Sequence, residues 1–179
     1  MDLSKLPSAF ISQLTAGVEN FILSNRKKYS SRAKSLEPKL LVPLEPYFPA
    51  DILQNTRFLV LKDSRIDDPP FYPMAKMMGI RNLPSFSHVA AVTFVDVVVS
   101  HEEWSENLLF HELVHVVQYA QLGNKEFASR YVNGYIKGGS YEEIPLEKNA
   151  FELAERFGRK NGRFLVADEV RNCIQAGKF

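Results

Sequence analysis

Cysteine is almost missing from this sequence, because Cys173 is the only one in 179 residues. A lone thiol can form neither a disulfide within the chain nor, by itself, a cysteine-based zinc cluster. A net charge is nearly missing as well, since 22 Lys and Arg stand against 21 Asp and Glu. We therefore expect no nucleic-acid partner, no attraction to an anionic membrane, and a function that depends on one local site.

Long apolar segments are also missing. The longest such run, residues 89–99, is interrupted by Asp96 and is too short to cross a bilayer as a helix. The first ten residues lack the basic segment, the apolar stretch and the cleavage site of a secretory signal. The sequence therefore predicts a cytoplasmic protein with no membrane span.

What the chain does contain is the composition of a folded globular protein, with 45% hydrophobic and 24% charged residues. Its length suits a single core and is short for two full-sized domains. We predict a helical N-terminal appendage over residues 1–45 and one compact unit over residues 46–179. The basic run within residues 25–35 contains no acidic residue, and we interpret it as a solvated loop or helix face.

The spacing of apolar residues predicts an α+β fold. An amphipathic helix is expected over residues 6–23, a strand over residues 58–61, and a buried strand or a tight pair of strands over residues 88–100. Three further helices are expected, with glycine near their ends, at residues 105–122, 125–136 and 145–160. The predicted architecture is a small antiparallel sheet packed against the first of these three helices.

The segment with the most chemistry is LLFHELVHVVQYAQLG, residues 108–123. Its His111, Glu112 and His115 have the order H-E-x-x-H, which on a helix places both imidazoles on one face, one turn apart. Zinc accepts neutral imidazole nitrogens, and Glu112 projects beside them, where a carboxylate can take a proton from the attacking water. The opposite face of the helix is apolar and suits a core. The alternative is an exposed salt-bridge or hydrogen-bonding patch, because so short a pattern also arises by chance.

A third ligand has to come from elsewhere in the chain. Glu147 falls on the apolar stripe of the predicted helix 145–160, and an inward carboxylate needs a partner that neutralises it. A zinc ion would be such a partner. The alternative is that Glu147, which follows Pro145, only favours the helix dipole, and Glu143 is the second candidate for the third ligand.

Residues 108–123 together with residues 144–157 resemble the gluzincin-like metallopeptidase domains of bacteria and archaea, including the very small minigluzincins. In those proteins H-E-x-x-H supplies two histidine ligands and the general base, and a Glu in an E-x-x-A context completes the site. The matching residues here are His111, Glu112, His115, Glu147 and Ala150. The segment PYFPADILQNTRFLVLKD also looks like the lead-in of a bacterial domain of unknown function that carries the same motif.

The resemblance implies a zincin-like metallopeptidase domain over residues 46–179, with one zinc ion per chain and an edge strand that binds an extended peptide. We therefore predict a zinc-dependent metallohydrolase of the peptidase type, acting on a peptide or protein substrate. In this hypothesis His111, His115 and Glu147 hold the metal, and Glu112 is the catalytic general base. The rival hypothesis is a non-catalytic zinc module that binds other proteins or belongs to a larger assembly.

Other polar residues have weaker claims to a role. A donor to the developing oxyanion is left open among four candidates, His101, Tyr119, Tyr135 and Tyr141. As lone histidines, His88 and His101 are expected to be structural. Cys173 could block the metal as a thiolate in a latent form, although an ordinary thiol is far commoner. Trp104 is interpreted as a packing anchor.

Overall fold

In a computed structural model, residues 6–160 and 162–179 are described and form eight α-helices and three β-strands. The predicted α+β fold class is therefore confirmed. In chain order the elements are α1 (Ser8–Ser30), α2 (Pro38–Leu41), α3 (Ala50–Asn55), β1 (Arg57–Val60), α4 (Tyr72–Met77), β2 (Ala91–Phe94), β3 (Val97–Ser100), α5 (Glu106–Leu122), α6 (Asn124–Gly138), α7 (Pro145–Gly158) and α8 (Val166–Gln175).

Within these two stretches of chain, every helix is too short or too polar to be a membrane span. The predictions of an N-terminal appendage and of no secretory signal rest partly on the first five residues. These residues lie outside the described part of the chain.

The sheet is mixed, with the strand order β1-β3-β2. β2 and β3 form the expected tight antiparallel pair, whereas β1 runs parallel to β3, so the prediction of an antiparallel sheet is wrong for β1. Residues 61–90 connect β1 to β2 on the other side of the sheet, and the β2–β3 hairpin then places β3 between them, parallel to β1. All four residues of β3 are buried, as expected for a central strand covered on both faces.

Helix α1 is longer than predicted, because the basic run continues it to Ser30. Arg26 donates two hydrogen bonds to the Asp96 carboxylate, at 2.5 and 2.7 Å, and so ties α1 to the turn between β2 and β3. Lys28 lies 3.2 Å from Asp67. The part of the basic run that lies in α1 is therefore a helix face on which these two charges pair within the chain, whereas Arg32 and Lys34 follow the helix. Helix α1 also packs along α6, and the division at residue 45 stays a prediction.

Helix α5 lies at the centre of the fold and contacts α6, α7, α8 and β2. Ser105 caps its start, since the Ser105 hydroxyl accepts a hydrogen bond from the Leu108 amide at 3.2 Å. Gly123 ends it with a φ of 75°, which glycine adopts without strain. Every residue from Leu109 to Tyr119 is buried. The face that carries the motif is therefore enclosed, as is the apolar face.

An aromatic cluster forms part of the core against α5. Phe110 stacks on Phe157 with 4.4 Å between ring centroids, and Phe48 meets Phe110 edge-on at 4.9 Å. Trp104 packs edge-on against Phe58 at 5.7 Å, in agreement with its predicted role as an anchor. Helix α8, which was not predicted from the sequence, covers the same cluster. Helix α5 is thus held in the core by this cluster.

Replacing Phe110 with alanine is expected to lower the free energy of unfolding by about 3–5 kcal/mol, because the substitution empties a fully buried ring position. Unfolding in guanidinium chloride, followed by circular dichroism, measures the loss. Phe151→Ala is the control, since it removes the same ring from a position on α7 that is 50% exposed. Equal losses in the two variants would contradict the central place of Phe110 in the core.

Candidate metal centre

Two helices bring the predicted ligands together. His111 and His115 stand one turn apart on α5, and Glu147 stands in the first turn of α7, which packs against α5. The side chains of His111, His115 and Glu147 are 9%, 6% and 5% exposed. Glu147 therefore faces inward, as the apolar stripe of its helix predicts.

The three donor atoms converge on one point. His115 Nε2 lies 3.2 Å from both His111 Nε2 and Glu147 Oε2, and His111 Nε2 lies 3.5 Å from the same Glu147 oxygen. Zinc–ligand bonds of about 2.0–2.1 Å in a tetrahedron place neighbouring donor atoms about 3.3–3.4 Å apart. The triangle fits that spacing, so these residues form a buried ligand group that could hold a metal ion.

Burial and mutual attraction compete within this ligand group. Burial opposes protonation of His115, but the Glu147 carboxylate outweighs it and raises the His115 pKa to about 9. Burial alone would raise the Glu147 pKa, whereas the two imidazoles lower it well below its ordinary value. The Glu147 carboxylate is thus ionised at neutral pH, and it needs a cation beside it, either an imidazolium or a metal ion.

Gln118 fixes the orientation of His115. The amide nitrogen of Gln118 donates to the Leu146 carbonyl at 3.0 Å and to Asn149 Oδ1 at 3.1 Å, so the amide oxygen must face His115. That oxygen accepts the His115 Nδ1–H at 2.8 Å, which leaves the Nε2 lone pair directed at the ligand group. Because Leu146 and Asn149 flank Glu147 on α7, one fully buried side chain links two of the three ligands.

His111 is held differently, by packing. The ring of Phe151 lies against the His111 imidazole, with 4.4 Å between the ring centroids. The Nδ1 atom of His111 is buried and has no hydrogen-bond partner within the described residues. A hydrogen bond therefore fixes the orientation of the His115 ring and determines which of its nitrogens carries the hydrogen. The His111 ring is held by packing against Phe151.

Cys173 lies behind this network and not in the ligand group. Its Sγ accepts a hydrogen bond from Asn149 Nδ2 at 3.6 Å, and burial raises the pKa of its thiol. A raised pKa disfavours the thiolate that would be needed to block a metal. The position of Cys173 therefore gives no support to the latency hypothesis.

Glu112 lies beside the ligand group without belonging to it. Thr93, on the edge strand β2, donates its hydroxyl hydrogen to Glu112 Oε2 at 2.6 Å, and the same hydroxyl lies 3.1 Å from the Glu112 carbonyl oxygen. Both residues are buried. The carboxylate is thus held by the sheet beside the ligand group.

Tyr141 is the candidate donor that contacts the ligand group. Its hydroxyl donates to Glu147 Oε2 at 2.7 Å, and burial, reinforced by the charge of Glu147, raises its pKa. The side chains of His101 and Tyr135 bond to backbone groups elsewhere, and Tyr119 stacks on a neighbouring ring. Tyr141 is thus the one of the four candidates that is hydrogen-bonded to the ligand group.

The remaining candidates lie away from the centre. Glu143, the second choice for the third ligand, pairs with Lys148 at 2.6 Å, and about half of each side chain is exposed. His88 is exposed and bonds to Ser85 and Ser87. His88 and His101 therefore have the structural roles that were expected of them.

Gln118 and Thr93 are residues of the site that were not predicted from the sequence. Gln118 stands three residues after His115 in the buried run VHVVQY, and a polar side chain among buried apolar ones indicates a required hydrogen bond. The sequence gives no comparable signal for Thr93, because threonine also occurs in strands such as AVTF for packing reasons. Its bond to Glu112 arises only when β2 packs on α5.

Gln118→Met is expected to weaken zinc binding by roughly 10–100-fold, because it removes the acceptor that orients the His115 ring. Competition against a chromophoric chelator measures the affinity. Gln121→Met is the matched control, since Gln121 is on the same helix and donates to the Ala167 carbonyl at 2.7 Å, away from the ligands. Wild-type affinity in both variants would mean that Gln118 does not position the ligand.

No protein-family model, curated protein or solved structure matches this chain. The resemblance to gluzincin-like peptidases therefore stays a prediction made from the motif residues. The site itself contains a buried ligand group, His111, His115 and Glu147, that could hold a metal ion, with Glu112 beside it.

Proposed function

We propose that this protein is a zinc-dependent peptidase in which Glu112 is the general base. The observation that carries the proposal is the position of Glu112, a buried carboxylate held by Thr93 next to a His-His-Glu ligand group but outside it. A site that only stabilised the fold would have no use for a base beside its ligands. The resemblance of the motif to gluzincin-like peptidases supports the same assignment.

Zinc is the ion we assign to the ligand group, because two imidazole nitrogens and one carboxylate oxygen match its catalytic sites. His111, His115 and Glu147 would hold it, and three protein ligands leave a further position for water or substrate. When bound, zinc supplies Lewis acidity, which lowers the pKa of a bound water to about 7 and polarises a carbonyl group.

Glu112 moves the proton in this mechanism. Its Oε2 accepts the hydroxyl hydrogen of Thr93, so Oε1 is the atom that takes a proton from the attacking water. The same carboxyl group then gives that proton to the nitrogen of the leaving amine as the C–N bond breaks. Thr93 restricts rotation of the carboxylate, which keeps one oxygen in place for both transfers.

Tyr141 is the donor we assign to the negative charge that develops on the substrate carbonyl oxygen. Its raised pKa keeps the phenol protonated at neutral pH, and its hydroxyl donates its hydrogen to Glu147 Oε2 at 2.7 Å, so this hydrogen has to turn from Glu147 to the carbonyl oxygen when substrate is bound. A positioned donor of this kind is worth about 2.7–4 kcal/mol in the transition state.

The edge strand β2 supports a peptide as the substrate. Phe94 and Val97 form the closing pair of its hairpin, so the N–H and C=O of Thr93 point away from β3, toward the free edge. An extended peptide can add to such an edge through main-chain hydrogen bonds. Thr93 would then bind the substrate backbone through its own main chain and hold Glu112 through its hydroxyl group.

Purified protein is expected to retain one zinc ion per chain after dialysis against a weak chelator. Glu147→Ala is expected to bind zinc at least about tenfold more weakly, because the variant lacks one ligand and its charge. Elemental analysis measures the content. Glu143→Ala is the control and keeps the ion, since Glu143 pairs with Lys148 on the surface. A wild-type protein that takes up no zinc, even on reconstitution, would overturn the proposal.

Glu112→Gln is expected to keep zinc and to lose turnover by about 10²–10⁴-fold, because the amide still accepts the Thr93 hydrogen bond but takes no proton. Mass spectrometry of a peptide library after incubation measures cleavage. Glu106→Gln, an exposed change in the first turn of the same helix, is the control.

Undiminished cleavage by Glu112→Gln would contradict the proposed role of Glu112 as the general base. A wild-type protein that binds zinc and cleaves no peptide in the library would instead favour the non-catalytic zinc module.

A further inference from the structure

A cavity adjoins the ligand group. Its volume is about 120 Å³, and Glu112, His115 and Glu147 form part of its wall. Because an apolar cavity of about 150 Å³ holds benzene, a space of this order suits an aromatic ring. The cavity is therefore continuous with the proposed metal centre and can hold a part of the substrate that does not react.

The wall of the cavity carries little charge. Its ionised side chains are those of the site, Glu112, His115 and Glu147, and the other lining residues are aliphatic, aromatic or uncharged. The hydroxyls of Tyr72 and Tyr135 are bonded to backbone carbonyls, so both residues present mainly ring surface. A charged substrate group would lose its hydration here without gaining a partner of opposite charge outside the site.

Aromatic rings form much of the wall. They include Phe21, Phe71, Phe86, Phe127 and Tyr131. Phe21 and Phe86 already meet edge-to-face, with 5.1 Å between their centroids. Because rings prefer edge-to-face or offset contacts with one another, such a wall favours an aromatic guest over an aliphatic one of equal size.

Helix α1 contributes to this wall although it carries no ligand. Leu14, Val18 and Ile22 line the cavity from α1, and Val132 and Ile136 line it from α6. Helix α1 lies outside residues 46–157, where the resemblance to metallopeptidases is found. The shape of the cavity is therefore set partly by a segment outside the part of the chain that carries the resemblance.

We propose that the cavity is a specificity pocket for a large aromatic side chain of the substrate, next to the bond that is cleaved, and that α1 sets its size. This inference rests on the proposed function, because the metal centre supplies the reacting atoms. Val18 is the residue best placed to test it, since it lines the cavity and is only partly buried, so that a larger side chain can be introduced there.

The test uses indole, the ring of a tryptophan side chain, and the metal-free full-length protein. Methyl-labelled NMR spectra are recorded during an indole titration of the wild type, of Val18→Trp and of Val42→Trp, whose position is 59% exposed on the surface. We expect shifts at the methyls of Leu14, Val132 and Ile136. We expect binding at least about tenfold weaker in Val18→Trp, because its own ring fills the space, and unchanged binding in Val42→Trp.

Two results would overturn the inference. One is a wild-type titration that leaves those methyls unshifted, and this measurement requires no variant to fold. The other is wild-type affinity in a folded Val18→Trp protein. Because the titration uses metal-free protein, it tests the pocket separately from the metal centre. Indole binding by a protein that takes up no zinc would support the proposed pocket and contradict the proposed peptidase function. Zinc uptake and peptide cleavage without indole binding would contradict the proposed pocket and leave the proposed peptidase function supported.

Discussion

The burial of the Glu147 carboxylate between two imidazoles is the interaction on which the rest of the structure depends. A carboxylate that is 5% exposed is tolerated only beside a cation, so α7 can pack on α5 only where Glu147 meets His111 and His115. That requirement fixes the register of the two helices. The burial of residues 109–119 of α5 in turn keeps the ligand group in a low dielectric, which strengthens these contacts.

A polar network inside the core extends this constraint in two directions. Gln118 joins His115 to the backbone around Glu147, and Thr93 joins Glu112 to the sheet. Buried networks of this kind specify a unique arrangement when every member is satisfied, and they are costly when one member is lost. The ligands are therefore tied to each other through α7, whereas the base is tied to β2. Loss of the base contact can leave the ligand group intact.

The parts of the site that follow a helical period were predictable from the sequence. H-E-x-x-H gives the facing histidines, and the apolar stripe around Glu147 gives its inward position, because both depend on residues a few positions apart. The parallel pairing of β1, the bond from Thr93 and the link through Gln118 depend on how distant segments meet. The buried position of Gln118 in the sequence indicates that it needs a hydrogen bond, but no local pattern encodes the partners of these contacts. The small share of strand in the chain, three strands of four residues, also left the sheet weakly specified by sequence.

In the proposed function, chemistry and recognition are placed largely on different segments. The proposed ligands and base come from α5 and α7, whose positions are fixed by buried polar bonds, whereas most of the remaining wall of the adjoining cavity comes from α1, α6 and residues 69–94 and is mainly apolar. Apolar contacts tolerate exchange of side chains of similar volume, while a ligand or its hydrogen-bond partner does not. Changes in α1 can therefore alter the shape of the cavity without moving the metal ligands. An N-terminal helix that appears from the sequence to be an appendage is in this way part of the wall next to the proposed centre.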